Sequence, residues 1–388
     1  MPRIVVALGL ASLLTDLSSE MIYPLLPVFL TTVLGAGAMT LGLVEGLAET
    51  VASLLKVVSG AWSDRTARRK PWVVLGYGVA GAARPLIGLA PSWGFVLAMR
   101  FTDRIGKGLR TSPRDALIAN AVPANERGRA FGFQRSMDHL GAVLGPLVAA
   151  ALLSLAAFSP QTVFLTAGIP AALVMVVLLV GIREPPADTP HGVTGGRGSF
   201  GALPQDFRRY LAALLVFTLG NSTDAFILLR LSEAGVPLEW VAVLWSLHHV
   251  VKTGSAYIGG ALSDRFGRKR LVVSGWAVYA LVYLAFALAQ TPAAMVATFL
   301  VYGLYYGLCE PTERAWAADL APAHLRGTAL GWYHGAIGVA ALPASLLFGW
   351  VWTQFGAAAG FGMGAALAGL AAAMLSRVKD RIAGEFGP

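Results

Sequence analysis

Gly60-Ala-Trp-Ser-Asp64-Arg65-Thr-Ala-Arg68-Arg69-Lys70 recurs at an offset of 200 residues as Gly260-Ala-Leu-Ser-Asp264-Arg265-Phe-Gly-Arg268-Lys269-Arg270. A second pair recurs at an offset of 199: Arg127-Gly128-x-Ala130-x-Gly132 and Arg326-Gly327-x-Ala329-x-Gly331. Two matches at nearly one spacing mark a duplicated unit. Each Gly-Asp-Arg segment follows an apolar run long enough to cross a bilayer. The repeated object is therefore a set of membrane helices, and the number of spans per copy decides the fold.

Composition agrees. Of 388 residues, 56% are hydrophobic and 13% are charged, against about 25% charged in ordinary soluble proteins. Mean hydropathy is +0.65. A soluble domain cannot hide that much apolar surface. Collagen-like, disordered and disulfide-stapled classes are excluded, the last because Cys309 is alone. The formal charge of +9 fits a bias of basic residues in cytoplasmic loops better than nucleic-acid binding.

A crossing helix needs about 20 mostly apolar residues. Twelve stretches qualify: 4–34, 40–60, 71–90, 93–118, 129–154, 162–181, 208–232, 237–260, 271–289, 293–318, 325–350 and 356–376. They are helices 1 to 12 below. Continuous apolar runs argue against a β-barrel, whose strands alternate. The first run is too long, and too acidic at Asp16 and Glu20, for a cleavable signal peptide. Lys and Arg cluster after helices 2, 4, 6, 8 and 10 and in the tail, and are absent after helices 1, 3, 5, 7, 9 and 11. Both termini are therefore expected in the cytoplasm of an inner-membrane protein.

Residues 182–207 are rich in Gly and Pro and read as a linker. The expected organisation is an all-α membrane protein of two pseudo-symmetric six-helix bundles, 1–181 and 208–376, joined by the 182–207 linker and ending in a cytoplasmic tail at 377–388. Parallel repeats with a site near the midplane describe one large transporter architecture.

Charge at membrane depth is costly and asks for a partner or a wet cavity. The first half holds Asp16, Glu20, Glu45, Glu49, Asp103, Asp115 and Asp138 against Lys56, Arg84, Arg100, Arg104, Lys107, Arg110, Arg114 and Arg135. The second half holds only Asp224, Glu310, Glu313, Arg230, Lys252 and Arg314. Arg100, Arg104, Lys107, Thr111 and Arg114 recur every three or four residues and share a face of helix 4. Near-balance of acids and bases predicts a buried ion-pair network, with a minority of groups left for substrate or protons. No Walker loop, no nucleophile motif and no loop longer than the linker is present, so neither ATP-driven transport nor catalysis is expected, and no cofactor or metal is implied.

The paired Gly-x-x-x-Asp-Arg-x-x-Arg segments, the twelve spans and the linker together resemble the major facilitator superfamily. By that resemblance Gly60, Asp64, Arg65 and Arg69, with Gly260, Asp264, Arg265 and Arg268, form cytoplasmic gating latches. Helices 1, 4, 7 and 10 line the cavity. That nominates Tyr23, Arg100, Arg104, Lys107, Asn221, Asp224, Tyr302, Tyr305 and Tyr306 for substrate. It nominates Asp16, Glu20, Asp103, Glu310 and Glu313 for proton coupling. Arg104 and Lys107 depart from the family's helix-4 pattern, where small residues are usual, and suggest anion affinity. Gly141, Gly145 and Pro146 resemble the helix-5 motif of the drug-efflux antiporter branch. The run Asp103-Arg-Ile-Gly-Lys-Gly-Leu-Arg-Thr-Ser-Pro-Arg-Asp115 resembles prokaryotic facilitators, a few linked to nickel or cobalt resistance.

The resemblance implies a monomeric, proton-coupled secondary transporter in the lipid bilayer, working by alternating access and expelling a small organic molecule, without nucleic acid. Uptake of an organic anion and export of a divalent cation remain open. So does a different class, a non-transporting receptor or lipid scramblase.

Overall fold

The structure is a computed structural model. It describes residues 1–65, 69–122, 127–182, 200–322 and 325–378, except for the side chains of 56–58, 60–65, 119, 127–129, 132, 256–261, 263–264, 307, 311 and 326–328. Its described residues form twelve helical spans. Ten satisfy length and hydropathy for a crossing helix. The other two, helix 4 (Trp93–Asn120) and helix 8 (Leu238–Phe266), carry the arginine stripe and the His248-His249-x-x-Lys252 segment. Large apolar side chains such as Ile169, Val180, Leu281 and Leu288 point outward, as lipid-facing positions require.

Helices 2 (Ala38–Arg65) and 8 run through the repeated glycine and aspartate. The expected ends at 60 and 260 were therefore too early, and the Asp-Arg pairs belong to the last helical turn. A cation there complements the carbonyl end of the helix. Helix 3 (Lys70–Leu86) and helix 9 (Arg268–Leu288) follow almost at once. A single residue, Gly356 at φ +86°, turns the chain between helices 11 and 12. Positive φ of this kind favours glycine.

Two helices expected to be continuous are interrupted at matching places. Helix 1 runs Arg3–Ile22, breaks at residues 23–25, and resumes as Leu26–Val28 and a π-turn at Phe29–Val33. Helix 7 runs Gln205–Gly220, opens over Asn221-Ser-Thr-Asp224, and resumes as Ala225–Glu233. A break frees carbonyls that must find other donors in a bilayer. Tyr279 supplies one, donating from its hydroxyl to the Gly220 carbonyl at 3.0 Å.

The chain forms two compact units. One comprises Met1–Ala36, Leu47–Val193 and Val236–Ser246, the other Gly37–Gly46, Thr194–Gly235 and Leu247–Pro388. In the first, Val5 and Leu8 of helix 1 pack with Val73 and Tyr77 of helix 3, Ile118 of helix 4 and Leu178 of helix 6. In the second, the core is aromatic. Phe217 stacks on Trp276 at 4.4 Å between ring centres, Tyr279 on Tyr283 at 4.1 Å, and Phe286 on Phe361 at 5.1 Å.

Just beyond the first motif the two repeats keep an offset of 199 in sequence and repeat two contacts. Lys70 donates to the Ile182 carbonyl at the end of helix 6 at 2.6 Å. Lys269 donates to the Val378 carbonyl beyond helix 12, also at 2.6 Å. A Cβ on Gly76 would meet Arg110, and a Cβ on Gly275 would meet Cys309, its counterpart. The one-residue difference from the motif's own offset of 200 falls just before these lysines.

Candidate functional site

In the first unit the acids of helix 1 are set by helix 5. A Cβ on Gly141 would collide with the Leu13 carbonyl and reach the Asp16 Cβ at 3.0 Å. One on Gly145 would lie 2.7 Å from the Leu17 carbonyl and 2.9 Å from the Glu20 Cβ. Small residues four apart thus let the two backbones touch, which holds Asp16 and Glu20 at a fixed depth. Pro146 lies inside helix 5 directly after this contact.

Asp16 is partly buried, and no Lys or Arg among the described residues pairs with its carboxylate. Glu20 accepts from the Trp245 indole Nε1 at 2.7 Å. Trp245 is in helix 8 but belongs to this unit, and its ring lies 5.1 Å from Tyr23 at the helix-1 break. Arg100 stands 5.8 Å over the other ring of that pair, Tyr23. Arg100, Arg104 and Lys107 act electrostatically on Glu20, and Lys107 and Arg110 act on Asp16.

Asp103 is fully buried and surrounded by guanidinium groups. Its Oδ1 accepts from Arg84 Nε at 2.9 Å. Its Oδ2 lies 3.7 Å from Arg100 and 3.8 Å from Arg104. Arg84 also donates to the Thr15 carbonyl of helix 1 at 2.9 Å. The Arg84 guanidinium of helix 3 thus reaches both helix 1 and the helix-4 carboxylate. Deeper toward residue 120, Arg114 pairs with Asp115 at 2.9 Å, and Gln134 bridges Asp138 and Ser12 at 2.8 and 2.9 Å.

The second unit gathers a different set. Tyr302 and Tyr306 each donate a hydroxyl to Asp224, one per oxygen, both at 2.7 Å. Asn221 donates to the Tyr305 hydroxyl at 3.1 Å. The break in helix 7 is thereby bonded to helix 10. Lys252 Nζ sits 3.8 Å over the Tyr306 ring and 3.6 Å from Glu310, which also pairs with Arg314 at 3.0 Å. Glu313 lies apart from these. Trp276 Nε1 and the Tyr333 hydroxyl donate to its two oxygens at 2.6 and 3.1 Å. Among the described residues no Lys or Arg pairs with it.

The candidates thus form two groups: Asp16, Glu20, Tyr23, Arg100, Asp103, Arg104 and Lys107 in one unit, and Asn221, Asp224, Tyr302, Tyr305 and Tyr306 with Glu310 nearby in the other. Of the latch residues, the side chains of Gly60, Asp64, Arg65, Gly260 and Asp264 lie outside the described residues. Arg69 stands at the N-cap position of helix 3 without a side-chain capping bond, Arg265 is exposed, and Arg268 pairs with Asp319 at 3.3 Å.

Sequence reasoning missed Trp245 and Trp276 as ligands of glutamates, and did not single out Arg84 as the partner of Asp103. No sequence signal joined these partners, although the offset of 199 relates the two repeats. That offset pairs Tyr77 with Trp276, Arg84 with Tyr283, Asp103 with Tyr302, Arg114 with Glu313 and Gln134 with Tyr333. Arg84 and Asp103 of the first repeat thus stand where the second has Tyr283 and Tyr302, and Arg114 is matched by an acid.

Twelve helices in duplicated halves, with broken leading helices and polar groups held at membrane depth, define a membrane transport protein rather than an enzyme. The sequence model described as Major Facilitator Superfamily matches residues 8–247 and 232–385. An uncharacterized MFS-type transporter of Methanocaldococcus jannaschii is 34% identical over 351 residues, covering 89% of this chain and 87% of the relative. The multidrug resistance protein MdtH of Cronobacter sakazakii is 24% identical over 345 residues, covering 85% and 83%. Among solved structures, a bacterial homolog to the human lysosomal transporter Spinster superposes with a TM-score of 0.80 at 18% identity, covering 98% of each chain. The chain belongs to the Major Facilitator Superfamily and is an integral membrane secondary transporter.

Proposed function

We propose that this transporter couples movement of a small organic molecule to protons by alternating access. The observation that carries the reading is Asp16 and Glu20, two acids one turn apart, held by close helix packing beside the cations of helix 4. Arg100, Arg104 and Lys107 act electrostatically on Glu20, which also accepts from the Trp245 indole, and Lys107 and Arg110 act on Asp16. Protonating either changes the charge facing the cations of helix 4, so the proton biases one conformation over the other. The expected setting is the cytoplasmic membrane, with both termini in the cytoplasm and the protein acting as a monomer.

Two directions have separate support. Likeness to MdtH and the Gly141-Gly145-Pro146 motif favour efflux. The cations of helix 4 favour uptake of an organic anion together with protons.

The test is an imposed pH gradient across proteoliposomes containing the purified chain and a pH-sensitive dye. Solute added to the wild type should dissipate the gradient. Asp16→Asn and Glu20→Gln should abolish that response and leave the chain folded. Unaltered proton flux in both variants would refute the assignment.

A further inference from the structure

Asp224 closes the break in helix 7 and stands between two tyrosines of helix 10. Tyr302 and Tyr306 donate to its two oxygens, one each, at 2.7 Å. Each carboxylate oxygen keeps a further lone pair for a donor. Asp224 is partly exposed, so that capacity is reachable. Lys252 of helix 8 acts on this carboxylate electrostatically, but its ion pair is with Glu310. The rings beside the carboxylate form a corner. Tyr302 and Tyr306 meet edge to face at 5.4 Å between centres, and the His248 ring stacks on Tyr302 at 5.4 Å.

One cation already lies in this corner. Lys252 Nζ stands 3.8 Å over the centre of the Tyr306 ring, within the range of a cation–π contact. Donation of the Tyr306 hydroxyl to Asp224 polarises the ring toward negative charge, which strengthens that attraction. The lysine is held loosely. Its distance to Glu310 is 3.6 Å, longer than a hydrogen bond, and its side chain is 22% exposed. Glu310 is served independently by Arg314 at 3.0 Å, so withdrawing Lys252 leaves that acid with a base. An ammonium on a flexible four-carbon stem can swing aside. The fold does not require rings here, because Tyr302 and Tyr306 correspond to Asp103 and Lys107 at the offset of 199.

An ammonium brings donors for the open lone pairs of Asp224 and a charge for the face of Tyr306. Lys252 supplies the second of these from within the chain. We propose that Lys252 is an internal stand-in: the seat between Asp224 and Tyr306 receives the ammonium group of a transported organic amine, and the lysine gives way to it. This rests on the transporter reading and deepens it by naming the substrate class. A lysine that served to bind an anion makes the opposite prediction, since it would help the ligand instead of competing with it.

The experiment is equilibrium binding to the purified full chain in detergent, by calorimetry at one pH. The probe is 1-naphthylmethylammonium, with 1-naphthylmethanol as the neutral isostere and 1-naphthoate as the anion. The ammonium should bind saturably and about tenfold more tightly than either. Lys252→Met removes the competitor and should tighten the ammonium about fivefold. Asp224→Asn should weaken it about tenfold. Arg270→Gln, an equal change of charge at an exposed position of helix 9, should leave it unaltered, which separates displacement from net charge. Should Asp224→Asn fail to elute as a single folded species, Lys252→Met decides. Failure of the ammonium to bind, equal or tighter binding of the alcohol or the naphthoate, or weaker or unchanged ammonium binding in Lys252→Met would overturn the proposal. Saturable ammonium binding without pH-driven flux would keep the seat and sink proton coupling alone; pH-driven flux without ammonium binding would keep the coupling and sink the seat.

Discussion

Asp103→Asn should be the most damaging single change in the first unit. The substitution keeps the shape of the side chain and removes its charge. Asp103 is wholly buried, bonded to Arg84 at 2.9 Å and approached by Arg100 and Arg104 at 3.7 and 3.8 Å. Neutralising it leaves three buried guanidinium groups with no acid between them. Breaking a buried ion pair costs about 3–5 kcal/mol, because the abandoned charge stays desolvated. A carboxamide oxygen still accepts from Arg84, which recovers about 1 kcal/mol. The expected loss is therefore about 2–4 kcal/mol, read as a shift in SDS-driven unfolding of the purified protein in mixed micelles. Arg84→Met should be comparably destabilising, and the double variant should lose much less than the sum. The coupling in the double-mutant cycle should be about 2–3 kcal/mol. A loss below about 0.5 kcal/mol for Asp103→Asn, the range of ordinary surface changes, would refute the view that this carboxylate holds helix 4 to Arg84 of helix 3.

Gly141→Val should disable pH-driven transport, because its Cβ alone already overlaps the Leu13 carbonyl and helix 1 must move away; cysteine crosslinking between helices 1 and 5 should report the separation. Trp245→Phe removes the donor to Glu20 while keeping the ring against Tyr23, and should shift the pH dependence of transport with little change in melting temperature. Lys70→Met and Lys269→Met each remove a cation bonded to terminal carbonyls, worth about 0.3–1 kcal/mol apiece, and their effects on unfolding should be similar and additive because the sites lie in separate units.

Much of the architecture was legible in one dimension. Span count, loop-charge alternation and duplication are local properties, since insertion into a bilayer is decided by the hydropathy of each run. Helix 4 was placed within two residues of its observed end. The breaks in helices 1 and 7 were not seen, although Tyr23-Pro24 and Asn221-Ser-Thr-Asp224 stood in the chain. Mean hydropathy barely responds to a few unwound residues inside an apolar run. The candidate site was legible as residue types on helix faces, as with Arg100, Arg104 and Lys107 or Tyr302 and Tyr306.

Partnership was a different matter. Arg84 and Asp103 are 19 positions apart, Glu20 and Trp245 are 225 apart, and Trp276 and Glu313 are 37 apart. Nothing in helical periodicity couples them. The sequence by itself determined that charge had to be buried, and in which repeat. Only the tertiary structure decided which charges are neutralised, because Coulomb and hydrogen-bond energies depend on distances of about 3–4 Å that arise when helices far apart along the chain pack together.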